Sequence, residues 1–252
     1  MRHLSIAVAG SAALLVAGCV QTRQYADTQF AVPAGDYKLL VMRPDVSVGS
    51  VTTGGLTEPR ADWTEAARSN LLAALRAQQA GRGGNVRVLD RRDSLPGVPA
   101  DTIAELERLH GAVGNSIALH KYLGENLPTK RGKGLDWTLG GQAVALGQRT
   151  GMDYALFLHA QDSFASTGRV ALQVLGIAGC FVGFCAPTMG GGSQFAYASL
   201  VNLRTGEVVW FNVLQSRIGD IRTEAGAAEM VERLLGRMKP GREVRRALKA
   251  GA

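Results

Sequence analysis

Apolar residues recur along the chain with two periods, one typical of amphipathic helices and one of buried strands. Five apolar runs have the length of strands: 37–42, 85–89, 154–159, 195–203 and 208–213. A glycine-containing loop is expected after Pro44, which ends the first run. Four helices are predicted from apolar spacings of three and four, each opening at a residue that can cap its first turn: Asp62, Thr102, Asp136 and Thr223. This order predicts an α/β (α+β) fold, a single domain with a mixed β-sheet of about five strands flanked by helices.

One long segment, Val170–Leu203, bears no formal charge and has three interpretations. The first is a spanning helix over 170–189, which its glycines and Pro187 disfavour. The second is a membrane β-hairpin made of strands 170–177 and 194–203. The third is two buried sheet strands joined by an apolar loop. The third is favoured, because Val170–Cys185 offers almost no polar side chain to a water-filled lumen. Such a loop would cover the core, meet a partner or touch lipid. The apolar side chains expected to make this contact are Val170, Leu172, Val174, Leu175, Ile177, Phe181, Val182 and Phe184.

The N-terminus has the three regions of a secretory signal. Met1–His3 is positively charged, Leu4–Val16 is mostly apolar, and small residues follow. The apolar run is shorter than the roughly 20 residues of a spanning helix. Residues 1–18 are therefore predicted to be a cleaved signal peptide.

The end of this signal, Leu15-Val16-Ala17-Gly18-Cys19, resembles the lipobox of bacterial lipoproteins. The resemblance implies that Cys19 becomes the first residue of the mature chain and carries acyl chains such as palmitate that anchor it in the lipid bilayer. Val20 replaces the aspartate that retains such proteins at the inner membrane, which implies the outer membrane, facing the periplasm. Residues 19–36, polar and irregular, are expected to be a tether. The alternative is a plain secretory signal that leaves a free cysteine.

Two other cysteines, Cys180 and Cys185, form an even pair once Cys19 is set aside. Export to an oxidising compartment would allow them to form a disulfide across a tight turn. The alternative is two buried thiols that behave as small hydrophobic side chains. Both interpretations remain open at this point.

Composition narrows the classes of function. The chain is 46% hydrophobic and 19% charged, which argues against disorder and a coiled coil. Its net charge is +7, and its densest basic run lies in the tail 239–252. No aromatic residue interleaves that run, so it offers no platform for base stacking, and we expect no nucleic-acid partner.

The element order resembles the fold shared by the curli-secretion lipoprotein CsgG, the lipoprotein activators of penicillin-binding proteins and the N-terminal domain of TolB. Three stretches carry the resemblance: Lys38–Pro44, Thr150–Leu156 and Val201–Trp210. It covers most of residues 37–238, which are predicted to be the folded domain. These motifs are structural and transfer no catalytic residue.

Motifs for chemistry are missing from the sequence. It contains no Gly-x-Ser-x-Gly, no P-loop and no His-Glu-x-x-His. His110 and His120 lie about 15 Å apart on one helix stripe, which suits core histidines better than a metal site. His159 and Asp162 should lie on opposite faces of a strand. We therefore expect no enzyme, no catalytic residue, no metal and no cofactor.

Two functions follow from these expectations. The first is a non-enzymatic cell-envelope lipoprotein that assembles with or regulates partner proteins, whose identity the sequence does not give. The alternative is an oligomeric export or pore component, similar to the curli-secretion lipoprotein, that uses segment 170–203. A homo-oligomer is compatible with both.

Overall fold

Eight strands form one mixed sheet in the computed structural model, which describes residues 21–26, 37–80, 85–90, 94–122, 124, 127–181, 192–236 and 238. For residues 21–26, 173 and 176–181 it describes the backbone alone. The strands in chain order are β1 Gln21–Ala26, β2 Lys38–Val41, β3 Asp45–Val51, β4 Thr57–Pro59, β5 Asn85–Val88, β6 Tyr154–Ala165, β7 Gln194–Asn202 and β8 Val208–Ser216. The sheet order is β1-β8-β7-β6-β2-β5, and β3 pairs with both β6 and β4. The α/β class predicted from the sequence is confirmed.

The described residues form five helices: α1 Ala61–Ala80, α2 Ala100–Lys121, α3 Gly140–Thr150, α4 Thr167–Phe181 and α5 Glu224–Leu235. All but α4 cover the two faces of the sheet. A short 3₁₀ turn spans Pro128–Lys130. The apolar faces of α1 and α5 bury one cluster of side chains against the sheet, and those of α2 and α3 bury a second cluster against its other face. The domain therefore has three layers.

Strand β6 lies at the centre of the sheet, as its apolar sequence predicts. It runs parallel to β2 and β3 on one side and antiparallel to β7 on the other. Leu156 and Leu158 enter the α1/α5 layer, whereas Ala155 and Phe157 enter the α2/α3 layer. The run is continuously apolar because both of its faces are covered by helices.

Strands β2 and β3 both lie along the same side of β6, separated by a bulge. Val41 is opposite Leu156 and Asp45 is opposite His159, so four steps of one chain match three of the other. Pro44, which has no N–H to donate to a neighbouring strand, lies in this interval. The prediction of a loop after Pro44 is wrong over 45–51, where the chain pairs with β6 as strand β3.

The prediction that residues 19–36 form an irregular tether is wrong over 21–26, which form strand β1. Residues 21–26 pair antiparallel with β8, from Gln21 opposite Gln215 to Ala26 opposite Trp210. Their sequence is mostly polar and gives no strand pattern. Backbone hydrogen bonding to β8 forms this strand, and such pairing is available to any sequence on an open sheet edge.

Helix boundaries are partly as expected. Thr223 caps α5 by accepting a hydrogen bond from the Gly226 N–H at 3.1 Å, as predicted. Asp136 does not cap α3, which begins at Gly140; its carboxylate pairs instead with Lys130 and Lys133.

Helix α4 replaces an expected strand. The strand predicted over 170–177, in both the hairpin and the buried-strand interpretations, is wrong because this stretch is helical. Alanine, leucine and glutamine between the β-branched residues favour helix, and this preference prevails where neighbouring strands do not hold the segment. Among the described residues, no helix is both long enough and apolar enough to cross a bilayer.

Candidate functional site: an apolar helix at one end of the sheet

Helix α4 exposes apolar side chains over much of its circumference. It begins two residues after β6 ends and carries one charged residue, Arg169, in its first turn. Residues 170, 171, 172, 174 and 175 are all exposed, although all are apolar. At about 100° per residue they cover roughly 200° of the helix surface. A helix that is part of a core directs its apolar side chains inward. The apolar side chains of α4 are therefore available for a further contact.

The first turn of α4 is fixed to the turn between β3 and β4. Arg169 donates from Nη1 to the Thr52 carbonyl at 3.1 Å, and the Ser166 N–H donates to the Val51 carbonyl at 2.9 Å. The Ser166 hydroxyl accepts from the Arg169 N–H at 3.3 Å, which starts the helix. These contacts set the direction in which the exposed part of α4 leaves the domain.

Two more exposed hydrophobic residues lie at the same end of the sheet as α4. Leu56 lies between β3 and β4, and Ile218 follows β8. Both β3 and β8 run in the direction of β6, with Val51 opposite Ala165 and Ser216 joined through Gln194 to Asp162. We name this surface the apolar end and define it by six residues with 45% to 75% exposure: Leu56, Val170, Leu172, Val174, Leu175 and Ile218.

This concentration at one end is not matched elsewhere in the described residues. The other large hydrophobic residues that count as exposed are Leu109, Leu119 and Leu127, and each is only 37% to 40% exposed. Scattered exposure of that kind is normal for a soluble domain, whereas a concentrated apolar surface marks a contact site.

A stack of aromatic and cationic groups lies beside the apolar end. The guanidinium groups of Arg60 and Arg222 each lie 4.4 Å from the centre of the Trp63 ring. Phe164, near the end of β6, contacts Trp63 edge-on at 5.9 Å. Arg60 pairs with Asp62 and Arg222 with Asp220, so the stack contributes rigidity more than net charge.

The histidines lie on the other side of the domain and do not form a metal site. His110 is buried against β7, and His120 accepts a hydrogen bond from the Leu127 N–H at 3.1 Å. His159 bonds through Nδ1 to Asp45 at 2.8 Å, and this hydrogen bond lowers the pKa of the Asp45 carboxyl. Asp162 lies on the opposite face of β6 from His159, as predicted. In the described part of the chain, no three His, Cys, Asp or Glu side chains cluster to hold a metal.

A polar cleft lies between α1 and α2, beside the bulge. Its cavity has a volume of about 360 Å³. Arg43 donates to both oxygens of Glu107 at 2.9 and 3.0 Å, and Arg68 pairs with Glu65 at 2.7 Å. Most of its charges are therefore neutralised by each other. This cleft could not be predicted from a local sequence pattern, since Arg43 and Glu107 are 64 positions apart.

The structure describes part of the predicted apolar interaction segment, whose role in an interaction stays a prediction. Val170, Leu172, Val174 and Leu175 are exposed together on α4. Ile177, Cys180 and Phe181 are described only as helical backbone. Cys19, Val182, Phe184 and Cys185 lie outside the described residues, as do 1–18 and 239–252, so acylation and the disulfide stay predictions. Sequence reasoning missed Leu56 and Ile218, which are single apolar residues in polar loops.

Comparisons with known proteins supply no activity or residue role for this chain. No model of a known protein family and no curated protein matches the chain. One similar solved structure is the PelC dodecamer from Paraburkholderia phytofirmans, with a TM-score of 0.37 and 13% identity over 85% of this chain and 96% of that chain. A variant of that dodecamer has a TM-score of 0.36 and 16% identity over 87% of this chain and 98% of that one. Scores this low do not establish a common fold.

Proposed function

We propose that this protein is a non-enzymatic lipoprotein of the cell envelope that assembles with or regulates partner proteins at the outer membrane. The observation that carries the proposal is the exposure of Val170, Leu172, Val174 and Leu175 on α4. Leaving each such side chain in water forgoes roughly 1.5–3 kcal/mol of burial free energy. A surface of this kind is stabilised when the membrane or a partner protein of the envelope covers it.

The proposed anchor is an acylated Cys19. Its support is the lipobox-like Leu15–Cys19 stretch that ends a secretory signal pattern. Two or more acyl chains hold a protein stably in a bilayer, where one chain does not. Anchored in this way, the domain faces the periplasm.

The non-enzymatic part of the proposal is supported by the described polar groups. His110 is buried and shares its hydrogen bond with Ser199, and Arg43 is held by both oxygens of Glu107. Both side chains are therefore held by other residues of the fold.

Self-association is a second candidate, favoured by the same exposed side chains. An assembly of several copies would cover α4 without another protein. The pore alternative required a strand over 170–177, and the helix found there removes the first half of the hairpin on which it depended.

The proposal can be tested by radiolabelled palmitate in bacterial cells that express the full chain. We expect the label on wild type and on Cys180→Ser, the matched control, and no label on Cys19→Ser. Label that persists in Cys19→Ser would overturn the anchor.

Assembly is tested on the same cells after mild detergent extraction. Native electrophoresis should show a complex larger than the 26.6 kDa chain, and mass spectrometry should identify its subunits. A monomer without partners would overturn the assembly role and leave the anchor unaffected.

A further inference from the structure

We infer that the apolar end lies in the headgroup region of the lipid bilayer that holds the anchor, with α4 as the element that enters the lipid. This inference rests on the proposed acylation of Cys19.

The N-terminal end of β1 lies at the same end of the sheet as α4. Gln21 is opposite Gln215 in β8, which is opposite Phe195 in β7, which in turn is opposite Gln161 in β6. Strand β1 runs antiparallel to β6, so the chain preceding Gln21 leaves the sheet in the direction of the end of β6. Gln21, two residues after Cys19 in the sequence, therefore lies at the same end of the sheet as the apolar end.

Distances along the chain allow the anchor at Cys19 and helix α4 to meet the same membrane surface. Cys19 precedes Gln21 by two residues, which reach at most about 7 Å. Strand β6 continues four residues past Gln161 to Ala165, about 13 Å, before α4 begins. Helix α4 thus extends several ångströms beyond the reach of Cys19, and interfacial helices bury their apolar face by roughly 5–10 Å.

The shape of the apolar surface fits lipid better than a protein groove. A helix that docks in a groove presents one stripe of anchors spaced three and four residues apart. The exposed apolar side chains of α4 cover roughly 200° of its surface, and Leu56 and Ile218 add contacts from two separate loops. Acyl chains can surround such a surface from several sides.

A free cation flanks this surface. Arg217 is exposed, next to Ile218, and pairs with no carboxylate among the described residues. A guanidinium at the edge of an apolar patch can bind lipid phosphate when the patch enters the headgroup region.

The test places a photoreactive diazirine amino acid at Leu175 of the full, acylated chain in cells. The matched control carries the same group at Leu119, an exposed leucine on α2. We expect a lipid adduct, seen as a mass increase on the peptide holding residue 175, and at least about tenfold less lipid adduct at residue 119. A cross-link from residue 175 to a second copy or to another protein, or no lipid adduct, would overturn the inference.

A second measurement separates this inference from the anchor. The purified mature chain, residues 19–252 with Cys19→Ser, is mixed with vesicles of phosphatidylethanolamine and phosphatidylglycerol, with and without Leu172→Gln and Leu175→Gln. Vesicle binding that falls at least about tenfold with the two glutamines supports the inference, because each leucine loses its apolar burial. Equal binding of both forms overturns it, whatever the palmitate experiment shows for Cys19.

Discussion

The Nε2 atom of His110 lies 2.6 Å from the Oγ atom of Ser199, in the buried layer between α2 and β7. The imidazole also stacks on Phe157, with 4.3 Å between ring centres. Burial lowers the pKa of His110 to about 3, so the ring is neutral in the folded protein. Folding and protonation are therefore linked at this residue.

His110→Gln should reduce the loss of stability in acid. An unfolded histidine titrates near 6.5, so the stabilisation from neutral His110 is complete above that pH and is lost as the pH falls toward 3. The loss amounts to about 2 kcal/mol between pH 6.5 and 5. Glutamine can still bond to Ser199 and does not titrate. Urea unfolding at both pH values checks this, and an unchanged pH difference in the variant would contradict it.

Asp162→Asn should stabilise the protein at neutral pH. Asp162 is buried, and burial raises its pKa to about 6. Its stabilising contribution is complete below the unfolded value near 3.9 and is lost as the pH rises through 6, up to about 3 kcal/mol. Asparagine can keep the hydrogen bond from Gln194 Nε2, now 3.0 Å long. The free energy of unfolding should rise at pH 7 and change little at pH 4; an equal change at both would be evidence against this pKa.

Gly114→Ala and Gly111→Ala, three residues apart on α2, should have opposite effects. A Cβ at Gly114 would lie 2.3 Å from Cε2 of Tyr197, whereas one at Gly111 meets nothing within 4 Å. Overpacking at Gly114 should cost about 1–3 kcal/mol. Alanine at Gly111 should add up to about 1 kcal/mol through helix propensity. Thermal unfolding of the two variants checks the close approach of α2 to the sheet, and similar melting temperatures would speak against it.

Leu156→Asp and Leu172→Asp compare the core with the apolar end. Leu156 is 1% exposed at the centre of β6, and an unpaired carboxylate there should cost several kcal/mol or prevent folding. The same change at Leu172 on α4 should leave the melting temperature nearly unchanged. Circular dichroism on both purified variants is sufficient. Were Leu172→Asp to unfold the domain as well, α4 would belong to the core.

The sequence predicts the elements whose local pattern agrees with their surroundings. Leu156 lies in a continuous apolar run because both faces of β6 are covered, and Gly151 ends α3 in the left-handed region at φ 66°. Thr223 caps its helix through a neighbour three residues away. In each case, the contacts that determine the element are either made by residues close in the sequence or made by a whole layer of helices.

Prediction from the sequence failed where the structure is determined by contacts with backbone or side chains that are distant in the sequence. Residues 21–26 have no strand pattern and pair because β8 offers an open edge. Asp153 accepts hydrogen bonds from the Lys38 N–H at 3.0 Å and from Arg204 at 2.6 Å, partners that are 115 and 51 positions away in the sequence. Leu56 and Ile218 were not predicted to join the exposed residues of α4, because they come together with α4 only through the direction of the strands.

The bulge between β2 and β3 fixes which side chains point to which layer. Leu39 and Val41 face the α1/α5 layer, and so do Val46 and Val48, although an uninterrupted strand would place odd and even positions on opposite sides. The added residue therefore reverses the parity of everything that follows it. Deleting Arg43 or Pro44 would remove the bulge and leave three steps of this chain opposite three of β6, so one continuous strand would keep the valines of β3 inward and Asp45 opposite His159. The interval is thus one residue longer than regular pairing with β6 requires, and natural variants that lack one residue there should keep the same two layers of side chains.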